Sequence, residues 1–479
     1  MLKRFLVALL LSTAVFGQDQ DDMKKVESSV TPPPQFRDAA PTETSIGDLR
    51  WFEIFKDPQL QTLLRTAVAN NLDLRLALVR VEAARANAGI EDANLLPKLS
   101  LQADLNQTLA SKNSPNFPPG GFLARNRPFG EILLNFLNYE LDIWGRVKHQ
   151  SASAWDEVLA TEATRRAVQS MVVADVATAY FNLLELDAEL DIANRTLKTR
   201  TESLDLIRAR QEGGVASMLD VRQAEQLVQT AQIVVSDTQR LIGQMENQVH
   251  ILLGEYPGPV VRGKSLLEQE QLPEVPAGLP SELLTRRPDI RAAEFTVLAR
   301  EEQIKVAYAS LFPRITLTGF LGFQSKALYS LFQPDSGTFY LNPMITQPVF
   351  DASLGSAQDF ATGNRNIALV QYQQTVAKAF KEVSDSLIDH SKYQEIRKER
   401  ELLVTTLKDR SELSYLRYTG GVDSYLNALD ADRDLFQGEV ALAQARRGEL
   451  LSLVQLYKAL GGGWQPEEGP VNPKVEDEN

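Results

Sequence analysis

Cysteine is missing from all 479 residues, which removes disulfides, thiolate metal sites and cysteine nucleophiles together. Histidine is nearly missing too: His149, His250 and His390 are the three present, too scattered for a histidine metal motif. There is no P-loop, no dinucleotide-binding glycine motif and no Gly-x-Ser-x-Gly elbow. Neither an enzyme nor a cofactor is expected. The net charge of −13 argues against a nucleic-acid partner. Apolar residues are plentiful at 43%, which supports a folded protein.

The N-terminus reads as an export signal. Lys3 and Arg4 precede an apolar run from Phe5 to Phe16, too short to span a bilayer. Val15 and Gly17 occupy the −3 and −1 places of a small-residue cleavage site before Gln18. Residues 1–17 are therefore expected to be a signal peptide, and residues 18–46 an extended polar arm. No later segment reads as the long, charge-free run of a spanning helix.

An exported chain without such helices can be soluble or can cross a membrane as a β-barrel. In "PKLSLQADLNQTLA", Leu99, Leu101, Ala103, Leu105 and Leu109 alternate with Ser100, Gln102, Asp104 and Thr108. Period two over about 9–11 residues is the pattern of a barrel strand. Strands are expected near 97–110 and 129–141, although Asn135 and Phe136 fall on the wrong faces of the second. The second half repeats the arrangement near 313–325 and 339–350, and "LLPKLSLQ" matches "LFPRITLT" with both prolines in register. Four strands cannot close a barrel, and open edges are not tolerated in lipid, so several chains must share one.

Between the hairpins, the 66 residues from Arg146 to Gln211 contain no proline and no glycine. A helix of that length would be on the order of 100 Å long. A second long helix is expected over 354–419. Each ends at a Gly-Gly-Val, in "RQEGGVASMLDV" and "RYTGGVDSYLNA", and these lie 420 − 213 = 207 residues apart. Glycine takes the left-handed conformation that ends a helix, so Gly213, Gly214, Gly420 and Gly421 are expected to reverse the chain. Ser217 or Ser424 can help to start the returning helices, over about 217–253 and 424–460. The chain reads as two repeats, 47–262 and 263–463, followed by a tail over 464–479.

These features resemble the outer membrane factor family of TolC-type channel-tunnels, and within it the OprM-like efflux branch. The residues that carry the resemblance are "WFEIFKDPQLQTLL", "YELDIWGRVK", "VPAGLPSELLTRRPDIRAAE", "RYTGGVDSYLNALDADRDLF" and "LYKALGGGW". The resemblance implies a homotrimer whose twelve strands form one outer-membrane barrel, mixed α and β, continued by a periplasmic barrel of long helices. It implies partners too: a periplasmic adaptor and an inner-membrane pump of the proton-driven RND class, besides outer-membrane lipid. OprM-like members commonly carry an acylated cysteine after the signal peptide. This chain has none, so the barrel itself is expected to hold it in the membrane.

By the same resemblance, the helix after the second Gly-Gly lines a periplasmic gate. Leu426 would form an apolar ring, Asp430 an acidic ring, and Arg433 a tie between neighbouring helices. Leu219 and Asp220 stand at the equivalent turn of the first repeat. From spacing alone, Asp430 and Arg433 are an ordinary i,i+3 pair. Trp144 is expected in an aromatic belt. Arg286, Arg287, Pro288 and Asp289 are expected to shape a helix start, and Trp464 to pack the tail. The expected function is a passive conduit for efflux of drugs or other small molecules. The alternatives are an exit duct for type I secretion or metal efflux, and a secreted coiled-coil structural protein. Mass spectrometry of the mature N-terminus should find Gln18 first with no acyl mass; a retained Met1 or an added lipid mass would overturn that expectation.

Overall fold

The computed structural model describes residues 45–109, 126–270 and 280–465, with Val30, Pro33, Gln35, Phe36, Ser111 and Gly278 besides. The expected signal peptide, its Gly17–Gln18 junction, most of the 18–46 arm and nearly all of the 464–479 tail lie outside the described residues. The main elements are α1 (Pro58–Asn70), α2 (Leu72–Ala93), β1 (Leu99–Leu109), β2 (Asn126–Glu140), α3 (Arg146–Glu212) and α4 (Met218–Leu253). The second half gives α5 (Pro288–Ala309), β3 (Arg314–Ser325), β4 (Gly337–Thr346), α6 (Ala352–Thr419) and α7 (Tyr425–Ala459). The strand expected to reach residue 350 ends at Thr346. Pro348 follows closely, and with no N–H it cannot extend a ladder.

The four strands form one antiparallel sheet in the order β1-β2-β3-β4. Directly paired residues share a face, so the register sorts the side chains. One row runs Leu101, Leu134, Leu321, Phe339, and the next runs Leu99, Phe136, Gly319, Leu341. The opposite face carries Ser100, Asn135, Thr318 and Asn342. The apolar face is bare: Leu101 is 74% exposed, Leu321 58% and Phe339 69%. Water would not leave such a face uncovered.

The register corrects the expectation that Asn135 and Phe136 lie on the wrong faces. Phe136 pairs with Leu99 on the apolar side, and Asn135 pairs with Ser100 on the polar side. Asn135 is buried there and donates to Gln102 Oε1 at 3.0 Å. What disturbs the pattern is a bulge between Phe136 and Tyr139. Asn138 stands in it with φ 48, in the left-handed region that asparagine tolerates better than most residues. One extra residue flips the parity of everything after it. Tyr139 thus joins Leu317 on the apolar face, 5.8 Å from the Phe136 ring, and Glu140 turns to the polar face beside Thr316. Below the sheet, Trp144 donates to Pro313 O at 2.8 Å and stacks on Phe312 at 4.9 Å.

The chain divides into two compact units, and the dividing points fall inside α2, α3, α5 and α6. Residues 81–161 and 293–371 make one, which holds the sheet; the remainder make the other. Neither unit coincides with a sequence repeat, because each draws on both halves. Helix pairing, rather than chain order, decides what is compact.

The larger unit holds the deepest core, with Leu60, Leu64, Tyr180, Leu183, Leu456 and Leu460 almost fully buried. Asp57 knots it together. Its carboxylate caps α1 through Gln59 N–H at 2.8 Å and accepts from Tyr180 Oη at 2.9 Å and Gln269 Nε2 at 2.8 Å. Pro288 opens α5, and buried Arg287 fixes that start by gripping Asp289 at 2.6 Å, Glu382 at 2.8 Å and Ala459 O at 3.0 Å. Burial works against the Asp289 carboxylate, yet the Arg287 bonds keep its pKa below the usual range. Arg286 bridges Asp48 at 2.8 Å, and the Arg166 guanidinium covers the Trp464 ring at 5.1 Å.

Contrary to the sequence expectation, α3 is long and apolar enough to cross a membrane by composition. Most of its apolar stretch is instead inside the protein, including Val173, Val176, Ala177 and Leu184. Alanine and glycine let its neighbours approach closely: a side chain at Gly438 of α7 would meet Leu407 of α6 at 2.6 Å.

Deleting Asn138 removes the extra residue along with the bulge, so Tyr139 and Glu140 should keep their faces, whereas Tyr139→Glu puts a carboxylate on the apolar face. A carboxylate facing lipid is expensive, so the expected outcome is loss of the membrane-inserted form. Heat-modifiable gel mobility of outer-membrane extracts would show it, and wild-type insertion of Tyr139→Glu would refute it.

Candidate functional site

The ends of α3 and α6 and the starts of α4 and α7 meet in the larger unit. Both long helices stop by the same backbone device. At the first, Val215 N–H donates to Arg210 O at 2.9 Å and Gly214 N–H to Gln211 O at 3.0 Å. At the second, Val422 N–H donates to Arg417 O at 2.9 Å and Gly421 N–H to Tyr418 O at 3.0 Å. This pair of bonds is the Schellman motif, and it requires a left-handed residue. Gly214 (φ 74) and Gly421 (φ 72) supply it; Gly213 and Gly420 do not adopt that conformation.

The restarts differ. Ser217 caps α4 by accepting from Asp220 N–H at 3.2 Å, while the Asp220 carboxylate accepts from Ser217 N–H at 2.9 Å. That is a complete capping box. Ser424 stands at the same place before α7 but makes no side-chain cap bond. There Arg417 reaches across the turn to Asp423 at 2.5 Å instead.

Above the turns, one apolar knot draws on all four helices: Leu204 and Ile207 of α3, Val221 and Ala224 of α4, Tyr418 of α6, and Tyr425 and Ala428 of α7. The Tyr418 and Tyr425 rings lie 5.1 Å apart. Arg210 packs its guanidinium 4.8 Å from the Tyr418 ring centre and donates to Thr419 O at 3.3 Å. The Tyr415 hydroxyl meets Ser203 Oγ. Burial pushes the hydroxyl pKa values of Tyr415, Tyr418 and Tyr425 up, which favours the neutral phenol at all three. Buried Arg200 of α3 completes the tie, bonding Asp432 of α7 at 2.8 Å and lying 5.6 Å from the Phe436 ring.

The residues singled out by resemblance are placed around this knot. Leu426 is 55% exposed and Leu219 is 65% exposed, both at the turn ends. Asp430 is half-exposed, 3.5 Å from Arg433. Arg433 also lies 3.4 Å from Asp434, so within one chain it contacts its own helix. Ties between helices come from other pairs, among them Arg200–Asp432, Arg410–Asp434 at 2.7 Å and Arg208–Glu225 at 3.0 Å. The sequence reading missed them: the first joins opposite hairpins and the other two each join the arms of one hairpin, and no local pattern marks any partner. Asp220 is occupied by its cap.

Elsewhere in this unit a cavity of about 550 Å³ is lined by Leu184, Ile192, Leu266 and Leu442. Its rim charges neutralise one another, with Arg262 on Asp187 at 2.8 Å and Arg195 on Asp191 at 3.2 Å. Among the described residues no cluster of three His, Asp or Glu could hold a metal.

Three comparisons bear on this geometry. The family model described as outer membrane efflux protein matches residues 63–255 and 279–462. Among curated proteins, the probable efflux pump outer membrane protein TtgC of Pseudomonas putida is 37% identical, covering 92% of this chain and 91% of TtgC. The cation efflux system protein CusC of Escherichia coli is 33% identical over 87% of this chain and 88% of its own. Among solved structures, the open state of the Neisseria gonorrhoeae MtrE outer membrane channel superposes with a TM-score of 0.82 at 32% identity, covering 91% of this chain and 96% of MtrE.

The turn geometry separates adjacent glycines. Gly214→Ala forces a left-handed alanine and should loosen the turn by about 1–2 kcal/mol, although the space there is open. Gly213→Ala should be nearly neutral. Native-state hydrogen exchange of the turn amides checks the contrast, and equal effects would contradict it.

Proposed function

The chain belongs to the outer membrane efflux protein family, and on that premise we propose that it is the outer-membrane conduit of a tripartite efflux system. The observation that carries this reading is the sheet, with one face mainly apolar and largely uncovered and with both β1 and β4 unpaired on their outer edges. In lipid those edges need strand partners. Three copies supply them, and twelve strands close one barrel whose outer face is the apolar one. The long helices of the three chains continue the passage into the periplasm. There an adaptor and an inner-membrane pump of the RND class deliver drugs or other small molecules. The pump provides the energy and selects the cargo, and this chain performs no catalytic step.

The gate belongs to the turn region. Leu426 narrows the passage, Asp430 from three chains gathers negative potential, and Arg433 counters that charge and holds neighbouring chains closed. Leu219 adds apolar bulk at the first turn, while Asp220 gives that turn its fixed shape. Apertures ringed by carboxylates draw in cations and are blocked by multivalent ones.

Single-channel recording in planar bilayers tests this. Asp430→Ala should lower the cation-over-anion permeability ratio by about twofold or more and relieve block by a trivalent cation. Arg433→Ala should raise the open-state conductance, and Leu426→Ala should widen the closed aperture while leaving selectivity nearly unchanged. Wild-type selectivity and block in Asp430→Ala would reduce that residue to a solvated helix position. Light scattering of detergent-extracted protein should give three chains per particle, and a monodisperse monomer would overturn the shared barrel.

A further inference from the structure

The polar face of the sheet carries an element that its polarity does not explain. One row across all four strands reads Ser100, Asn135, Phe320, Tyr340. Phe320 and Tyr340 are directly paired, their rings stack 5.3 Å apart at 24°, and Tyr340 is 45% exposed. Every barrel strand here already has an apolar side, and these rings are on the other. In the next row up the same face, Gly322 stands between Leu133 and Thr338 and places no side chain over the rings. One row further, Asp104 is directly opposed to Glu131, whose carboxylate accepts from Gln324 Nε2 at 2.9 Å. From the aromatic row to the carboxylates is four residues along a strand, roughly 13 Å.

We propose that the Phe320–Tyr340 stack is a contact platform in the barrel lumen for flat aromatic solutes that carry positive charge. The inference rests on the conduit reading, which makes the polar face the lining of the passage. Exposed ring faces attract planar π-systems and cations. The carboxylates above them repel anions, and the one row between, Gln102, Leu133, Gly322 and Thr338, holds no lysine or arginine. Stacking across strands would by itself stabilise the sheet, so the test must read solute contact rather than stability.

The probe is ethidium, applied to the extracellular side of the full-length protein in a planar bilayer, with tetramethylammonium as the cation lacking an aromatic face. Ethidium should interrupt the current, and Phe320→Leu combined with Tyr340→Leu should raise its half-blocking concentration about tenfold. Small-ion conductance and the response to tetramethylammonium should stay as in the unaltered protein. Tyr340→Trp enlarges the ring face and should lower the half-blocking concentration, which keeps the test decisive if the double variant fails to insert. An unchanged half-blocking concentration in these variants would overturn the platform. So would block that responds to Asp104→Asn and Glu131→Gln but not to the ring substitutions. If the unaltered protein carries no channel current, the conduit reading falls and this inference with it; current without ring-dependent block overturns the inference alone.

Discussion

A backbone N–H or C=O group in hydrocarbon has no water to bond, and that constraint governs this molecule. The four-stranded sheet satisfies its interior groups but leaves one edge of β1 and one of β4 open. The side-chain pattern directs that sheet into lipid, and lipid forbids the open edges. Association of identical chains is thus a condition of the fold rather than an addition to it. The exposed leucines on α6, including Leu402, Leu413 and Leu416, follow the same logic in the helical part. They are faces prepared for neighbours.

The helices solve a related problem by a different route. Each long helix must stop, satisfy its last carbonyls and reverse within a few residues. The Schellman bonds at Gly214 and Gly421 do this without tertiary help. Tertiary contacts then decide how firmly the two hairpins hold together, through the tyrosine knot, Arg210 on Tyr418 and Arg200 on Asp432. Rigid ends joined by a few replaceable contacts suit the gate proposed for this region.

Much of this could be read from residues, because the signals were local and periodic. Alternation in "LSLQADL" located β1, and the Gly-Gly-Val pairs located both reversals. The bulge at Asn138 was hidden, because its effect on Phe136 and Asn135 depends on the partner strand and not on spacing. The buried ties were hidden for a similar reason: Arg200 and Asp432 are 232 residues apart, and nothing in either segment marks its partner. Hydropathy alone does not tell the apolar stretch of α3 from a spanning helix, because burial by other helices produces the same hydropathy as burial in lipid. At the candidate gate, the family resemblance drew attention to Arg433, whereas the contacts in one chain give more structural weight to Arg200.

The bulge also bears on ancestry. β2 and β4 occupy equivalent places in the two repeats, and each pairs with the strand before it in unbroken register, but β2 also carries an extra residue against β3. Two copies of one hairpin have thereby become distinct parts. Because the bulge absorbs that residue, β2 gains a local kink while the faces beyond it stay in step with β3.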